Sequence, residues 1–217
     1  EPMGLLKIEH IKAILKMPEV SERFRTAHGR EWNQNDVAIM YQSFEKHLFA
    51  SLQDFTTPVP GVIETMEQLR REGIRIGSTT GYTDAMMKIV QPGAAAQGYT
   101  VDCLVIPDHL PAGRPAPYMI YRNMTELAIP SVDEVVKVGD TIADIREGLN
   151  AKVCSVGVIT GSNELGLTEE EYKTMPEPEL YTLKQEVRER MMAAGAHYVL
   201  DNIRELPDLI HNLMNKK

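Results

Sequence analysis

Cysteine is scarce in this chain, and its placement excludes both a disulfide framework and a thiolate metal site. The two cysteines of the 217 residues, Cys103 and Cys154, each stand inside an apolar strand-like run, with neither metal-ligand nor redox spacing. They read as reduced core residues, which favours the cytoplasm. No apolar run approaches the roughly 20 residues of a membrane span, and the amino terminus lacks the apolar core of a signal peptide. Basic excess is missing too. The formal net charge of −8 disfavours a nucleic-acid or membrane-surface partner, while a small anionic substrate could still be held by a few local cations. There is no internal repeat or low-complexity tract. With 43% hydrophobic residues the chain can bury a substantial core, as one large domain or a domain with a small companion.

From Pro58 onward, apolar runs alternate with helical patterns. The runs are IRIGSTT (74–80), VDCLVIP (101–107), EVVKVGD (134–140), KVCSVGVI (152–159) and HYVLD (197–201). Helical periodicity covers Val62–Glu72, Asp84–Gln97, Ala116–Leu127, Asp144–Asn150 and Ile203–Met214. This rhythm predicts an α/β fold with a doubly wound parallel sheet. Residues 162–195 are charged and rich in helix formers, which predicts surface helices with no chemical role. Residues 1–53 are helical throughout, over Gly4–Lys16, Val20–Ala27 and Gln34–Leu52. The segment Thr56-Thr57-Pro58-Val59-Pro60-Gly61 is the best hinge, dividing a helical cap (1–55) from an α/β core (56–217).

Three strand ends carry residues suited to phosphate chemistry. In VVKVGDTIADIREG (135–148) a strand breaks at Gly139, and Asp140 and Asp144 follow one helical turn apart. In open α/β sheets ligands bind at this edge, and Mg²⁺ is held by one or two carboxylates plus waters and substrate phosphate. The competing reading is that Asp140 only caps a helix. Ser78-Thr79-Thr80-Gly81-Tyr82 offers hydroxyls and a glycine amide to an oxyanion, or is an ordinary capped turn. In Pro111-Ala112-Gly113-Arg114-Pro115-Ala116-Pro117, prolines stiffen the loop that presents Arg114, whose guanidinium could fork two phosphate oxygens or remain a solvated arginine.

The order of Thr80, Arg114 and Asp140 with Asp144 resembles the haloacid dehalogenase superfamily of phosphotransferases. Within it the chain is most similar to the phosphonatase (phosphonoacetaldehyde hydrolase) family, through PMGLLKIEH (2–10), IGSTTGYT (76–83), PAGRPAP (111–117), VGDTIADIREG (138–148) and GSNELGLTEEE (161–171). The resemblance implies hydrolysis of the carbon–phosphorus bond of a small phosphonate aldehyde, through a lysine Schiff base and an aspartyl-phosphate. It implies Lys7 as the imine-forming amine, with Met3, His10 and Tyr82 beside it. Thr80, Gly81 and Arg114 would hold phosphate oxygens, and Asp140 and Asp144 would serve a Mg²⁺ cofactor. It also implies a homodimer joined through the cap, to which Trp32, Phe44 and Phe49 could contribute, although aromatics there are more often cap core. On a helix, Met3, Lys7, His10 and Ile14 form one stripe beside an apolar stripe of Ile8, Ile11 and Leu15. An ammonium there loses hydration, which favours the neutral amine that imine formation needs, although lysines near helix starts are usually solvated and a Met and a His at helical spacing are usually packing residues.

One element of the family pattern has no counterpart. The resemblance implies a nucleophilic aspartate on an amino-terminal strand, in Asp-x-x-x-Thr, lying between the strands that end at Thr80 and Asp140. The closest match, Asp54-Phe55-Thr56-Thr57, follows a helical pattern and has Pro58 where the threonine belongs. The expectation is therefore a shortened chain whose sheet lacks its central strand and which cannot transfer phosphoryl groups alone. A non-catalytic phosphate-binding remnant and a different phosphatase or phosphomutase of the same superfamily remain open alternatives.

Overall fold

Helix signals in the first quarter of the chain are strong, and the computed structural model, which describes residues 6–215, forms three helices there. They are α1 (Lys7–Leu15), α2 (Pro18–His28) and α3 (Gln34–Ser51). Proline at the first position opens α2, and Gly29 in the left-handed region closes it. Asn33 and Asp36 form a capping box that starts α3. The helices share a core of Leu15, Phe24 and Val37, with Ile11, Val20 and Trp32 packed against it. Ile8, expected in the apolar stripe, is exposed instead, so the buried face of α1 is carried by Ile11 and Leu15.

A 3-10 turn over Leu52–Phe55 leads into the alternating part of the chain. There α4 (Val62–Arg71), β1 (Gly77–Thr79), α5 (Asp84–Ala95), β2 (Cys103–Val105) and α6 (Tyr118–Glu126) come first. β3 (Val136–Gly139), α7 (Ile142–Ala151), β4 (Cys154–Val158), α8 (Glu169–Thr174), α9 (Glu177–Ala193), β5 (Tyr198–Leu200) and α10 (Leu206–Met214) follow. All five expected strands form, and every pairing is parallel. Helices cover both faces. Ile145 of α7 packs with Val187 and Met191 of α9 on one side, and Leu69 of α4 packs with Val156, Leu200 and Leu206 on the other. The expected doubly wound parallel arrangement is expressed as two parallel sheets rather than one.

One sheet has the order β1-β2 and the other β3-β4-β5. Among the described residues no strand lies between β1 and β3. A cavity of about 1020 Å³ opens there, lined by Gly77, Ser78 and Thr79 from one sheet and Val136, Lys137 and Val138 from the other. The apolar run 74–80 yields a strand of only three residues, with a ladder partner on one side alone.

Glycine positions the carboxyl end of β3. A Cβ on Gly139 would fall inside the Asp144 side chain, so only glycine lets α7 turn back so tightly over the strand. Gly139→Ala should therefore destabilise the protein by about 1–3 kcal/mol through overpacking, read as a shift in urea midpoint. A midpoint equal to the parent's would contradict this packing.

Candidate functional site

Thr141, two residues after β3, caps α7: its Oγ1 accepts from the Asp144 amide at 3.2 Å and donates to Asp144 Oδ2 at 2.6 Å. Asp140 is thereby relieved of the capping role. Its Oδ2 instead accepts from both the backbone N–H and the side-chain amide of Asn163, at 3.0 and 2.9 Å. Asn163 lies in the stretch expected to have no chemical role, and the loop after β4 brings it against the residue that follows β3.

Asp144 is 2% exposed. Its Oδ1 meets Lys137 Nζ at 2.8 Å and Arg114 Nη1 at 3.0 Å. One turn on, Glu147 is fully buried, and its Oε2 meets Lys137 Nζ at 3.0 Å and Arg114 Nε at 3.2 Å. Thr79 closes the network. Its Oγ1 accepts from Lys137 Nζ at 2.9 Å and from Arg114 Nη2 at 2.8 Å, and donates to Glu147 Oε2 at 3.1 Å. Arg114 Nη2 also donates to the Thr79 carbonyl at 2.6 Å. Burial pushes the Asp144 carboxyl up, but the Lys137 ammonium and the Arg114 guanidinium outweigh it and hold the group at about 2.

The surroundings of two of the expected phosphate ligands are now on view. Arg114 and Asp144 do line the cavity, yet the Nε and Nη2 donors of Arg114 are committed to Glu147 and Thr79. The guanidinium fork therefore faces the protein, and only Nη1 retains a hydrogen for an oxyanion. Thr80 Oγ1 accepts from the Tyr82 amide at 3.0 Å, so this hydroxyl shapes the loop after β1, which also carries Gly81, while its neighbour Thr79 enters the charge network. Lys137 and Glu147 escaped the sequence reading. Their signal was there: a lone lysine within an apolar strand, and an acid three residues after Asp144 on α7.

Lys7 opens α1 and is half-buried above the same region. Gly113 allows the approach, since a Cβ there would come 3.0 Å from Leu6 Cγ. The Lys7 ammonium lies 5.3 Å from the Tyr82 ring centroid. Burial, and then the positive charge of Arg114, lower its pKa below the ordinary lysine value. His10 is lowered as well, by burial first and then by the charge on Lys7, while burial raises the Tyr82 phenol. Met3 lies outside the described residues.

The donor set fits a hard divalent cation at one point. With Oδ2 occupied by Asn163, Asp140 Oδ1 has no hydrogen-bond partner among the described residues, and Asp140 lines the cavity. Asp144 is taken up by two cations and Thr141, so it stands behind the site rather than in it. Among the described residues no group of three or more acidic, histidine or cysteine side chains gathers around one point. One free carboxylate oxygen suits Mg²⁺, which completes its shell with water and substrate oxygens.

Comparison with known proteins gives a consistent result. A family model described as haloacid dehalogenase-like hydrolase matches residues 7–152. Phosphonoacetaldehyde hydrolase of Parabacteroides distasonis is 69% identical over 216 residues, covering the whole chain and 82% of that protein. The Bacillus cereus protein of the same name is 46% identical over 213 residues, covering 98% of this chain and 81% of that protein. The crystal structure of a phosphonoacetaldehyde hydrolase-like protein from Oleispira antarctica superposes with a TM-score of 0.95 at 32% identity, covering the whole chain and 78% of that one.

Removing one cation from the buried network should be costly. Lys137→Met leaves Asp144 and Glu147 sharing Arg114 and should destabilise the protein by about 3–5 kcal/mol. Adding Glu147→Gln removes the excess carboxylate and should recover part of that loss in urea denaturation. A double variant no more stable than Lys137→Met would contradict the ion-pair account.

Proposed function

The chain belongs to the haloacid dehalogenase-like hydrolases, and within them to the phosphonoacetaldehyde hydrolases, and from that membership we propose that its site cleaves the carbon–phosphorus bond of phosphonoacetaldehyde through an imine on Lys7. The observation that carries this reading is the half-buried Lys7 amine beside Tyr82, biased towards its neutral form by burial and by Arg114. A neutral amine attacks the aldehyde carbon, and loss of water leaves a protonated imine. When the carbon–phosphorus bond breaks, its electron pair stays on carbon and spreads into the imine as an enamine. Protonation of that carbon and hydrolysis of the imine release acetaldehyde and restore Lys7. His10, held towards its unprotonated form, serves as proton acceptor during imine formation.

Thr80, the Gly81 amide and the remaining Nη1 hydrogen of Arg114 hold the phosphonate oxygens in this reading. Asp140, with Asp144 behind it, holds Mg²⁺. When bound, that ion offsets negative charge between the phosphoryl group and its acceptor. The phosphoryl group passes to the aspartate that the family resemblance implies, and from there to water. Among the described residues neither Asp144 nor Glu147 is free for this role, since both are locked in ion pairs, and Asp54 does not line the cavity.

Residues 1–55 act as a helical cap over an α/β core of 56–217 in a cytoplasmic homodimer. The exposed Ile39, Met40 and Phe44 of α3 offer the apolar surface for the contact, while Trp32 packs into the cap core. Among the described residues no helix is long and apolar enough to cross a membrane.

Borohydride reduction in the presence of phosphonoacetaldehyde should trap a secondary-amine adduct on Lys7, located by peptide mass spectrometry, and Lys7→Arg should abolish it. Absence of an adduct on Lys7, or one that persists elsewhere in Lys7→Arg, would reject the imine role.

A further inference from the structure

We propose that Asn163 is a positioning residue that sets which oxygen of Asp140 faces a divalent cation. The inference rests on Asp140 being the cation ligand and extends it to a residue outside the motif that carries the carboxylate.

Two donors of one residue converge on a single oxygen. Asn163 N and Nδ2 both bond Asp140 Oδ2, at 3.0 and 2.9 Å, and leave Oδ1 as the oxygen without a protein partner among the described residues. A carboxylate without such a clamp turns about its terminal torsion, and its two oxygens exchange places at little cost. Pinned through Oδ2, it presents one oxygen in one direction. Outer groups that orient a metal-binding side chain in this way have large effects on affinity.

The clamp is only as good as the loop that carries it, and this loop is well anchored. Its first residues continue the β4–β5 ladder, with the Ile159 amide bonded to the Leu200 carbonyl at 3.0 Å and the Thr160 amide to the Asp201 carbonyl at 2.9 Å. Gly161 then takes φ +80°, and a Cβ there would come 2.8 Å from Val59 Cγ1, so glycine permits both the turn and the contact with the 56–61 segment. Ser162 is buried. Its amide bonds the Ile159 carbonyl at 3.0 Å, and its Oγ accepts from the Leu165 amide at 3.0 Å. Asn163 is thus held on both sides while the residue itself is exposed. A residue needed only for packing would have no reason to spend both donors on one carboxylate oxygen.

The test is Mg²⁺ titration calorimetry on the full-length protein, with the melting temperature measured separately in EDTA. Asn163→Ala should weaken Mg²⁺ binding about tenfold with Tm in EDTA equal to the parent's, and Asp140→Asn should abolish binding. Parent-like affinity in Asn163→Ala beside lost binding in Asp140→Asn overturns the positioning role and leaves the ligand assignment standing. Parent-like affinity in Asp140→Asn overturns the ligand assignment and the proposal with it. Weakened binding accompanied by a lowered Tm in EDTA marks Asn163 as structural and also overturns the proposal. If Asn163→Ala fails to fold, Asn163→Ser is read by the same criteria.

Discussion

Lys137 and Thr79 meet at 2.9 Å across the space between two sheets whose facing strands share no ladder hydrogen bond. Around that contact, two cations and two carboxylates form a cluster of zero formal charge: Lys137 and Arg114 against Asp144 and Glu147. Burying charges costs several kcal/mol per ion, and the cost is offset only when each finds partners of good geometry. Here Lys137 has three acceptors for three N–H bonds, and Thr79 Oγ1 takes two donors while giving its own proton to Glu147. The cluster ties β1, the Arg114 loop, β3 and α7 together at their functional ends.

That constraint also shapes the chemistry. An arginine whose Nε and Nη2 are turned inwards is a fixed positive charge more than a mobile phosphate fork. Its field reaches Lys7, which Leu6 and Gly113 bring close to the same loop, and disfavours the ammonium there. The ion pairs that hold the sheets together thus also bear on the protonation of an amine on another element. Asp140 is left outside the cluster, one turn before Asp144, and answers to Asn163 instead.

The elements were legible because their signals are local. Apolar runs marked all five strands, and helical periodicity marked the three cap helices, the second of which starts at Pro18 rather than at Val20. The Asp140/Asp144 spacing and the stiff Arg114 loop were equally visible. What could not be read was the direction in which side chains turn once several elements converge. Thr79 and Thr80 are adjacent and chemically identical, and strand alternation alone decides which one meets Lys137. Lys137 inside an apolar strand reads as an isolated exception until Glu147, Asp144 and Arg114 are placed around it. Asn163 sits in the run 161–171 that the resemblance covers, but nothing in that run pairs it with Asp140, and the contact arises only because the β4 loop packs beside the β3 loop.

The central claim is that burial and the Arg114 charge hold Lys7 towards the neutral amine. Both penalise the protonated form, so the proton should leave at a lower pH than from an exposed lysine. An NMR titration of side-chain-labelled lysine in the full-length protein, with Lys7→Arg identifying the resonance, measures this directly. The account predicts a Lys7 midpoint below the ordinary 10.5. A midpoint at or above that value would contradict it.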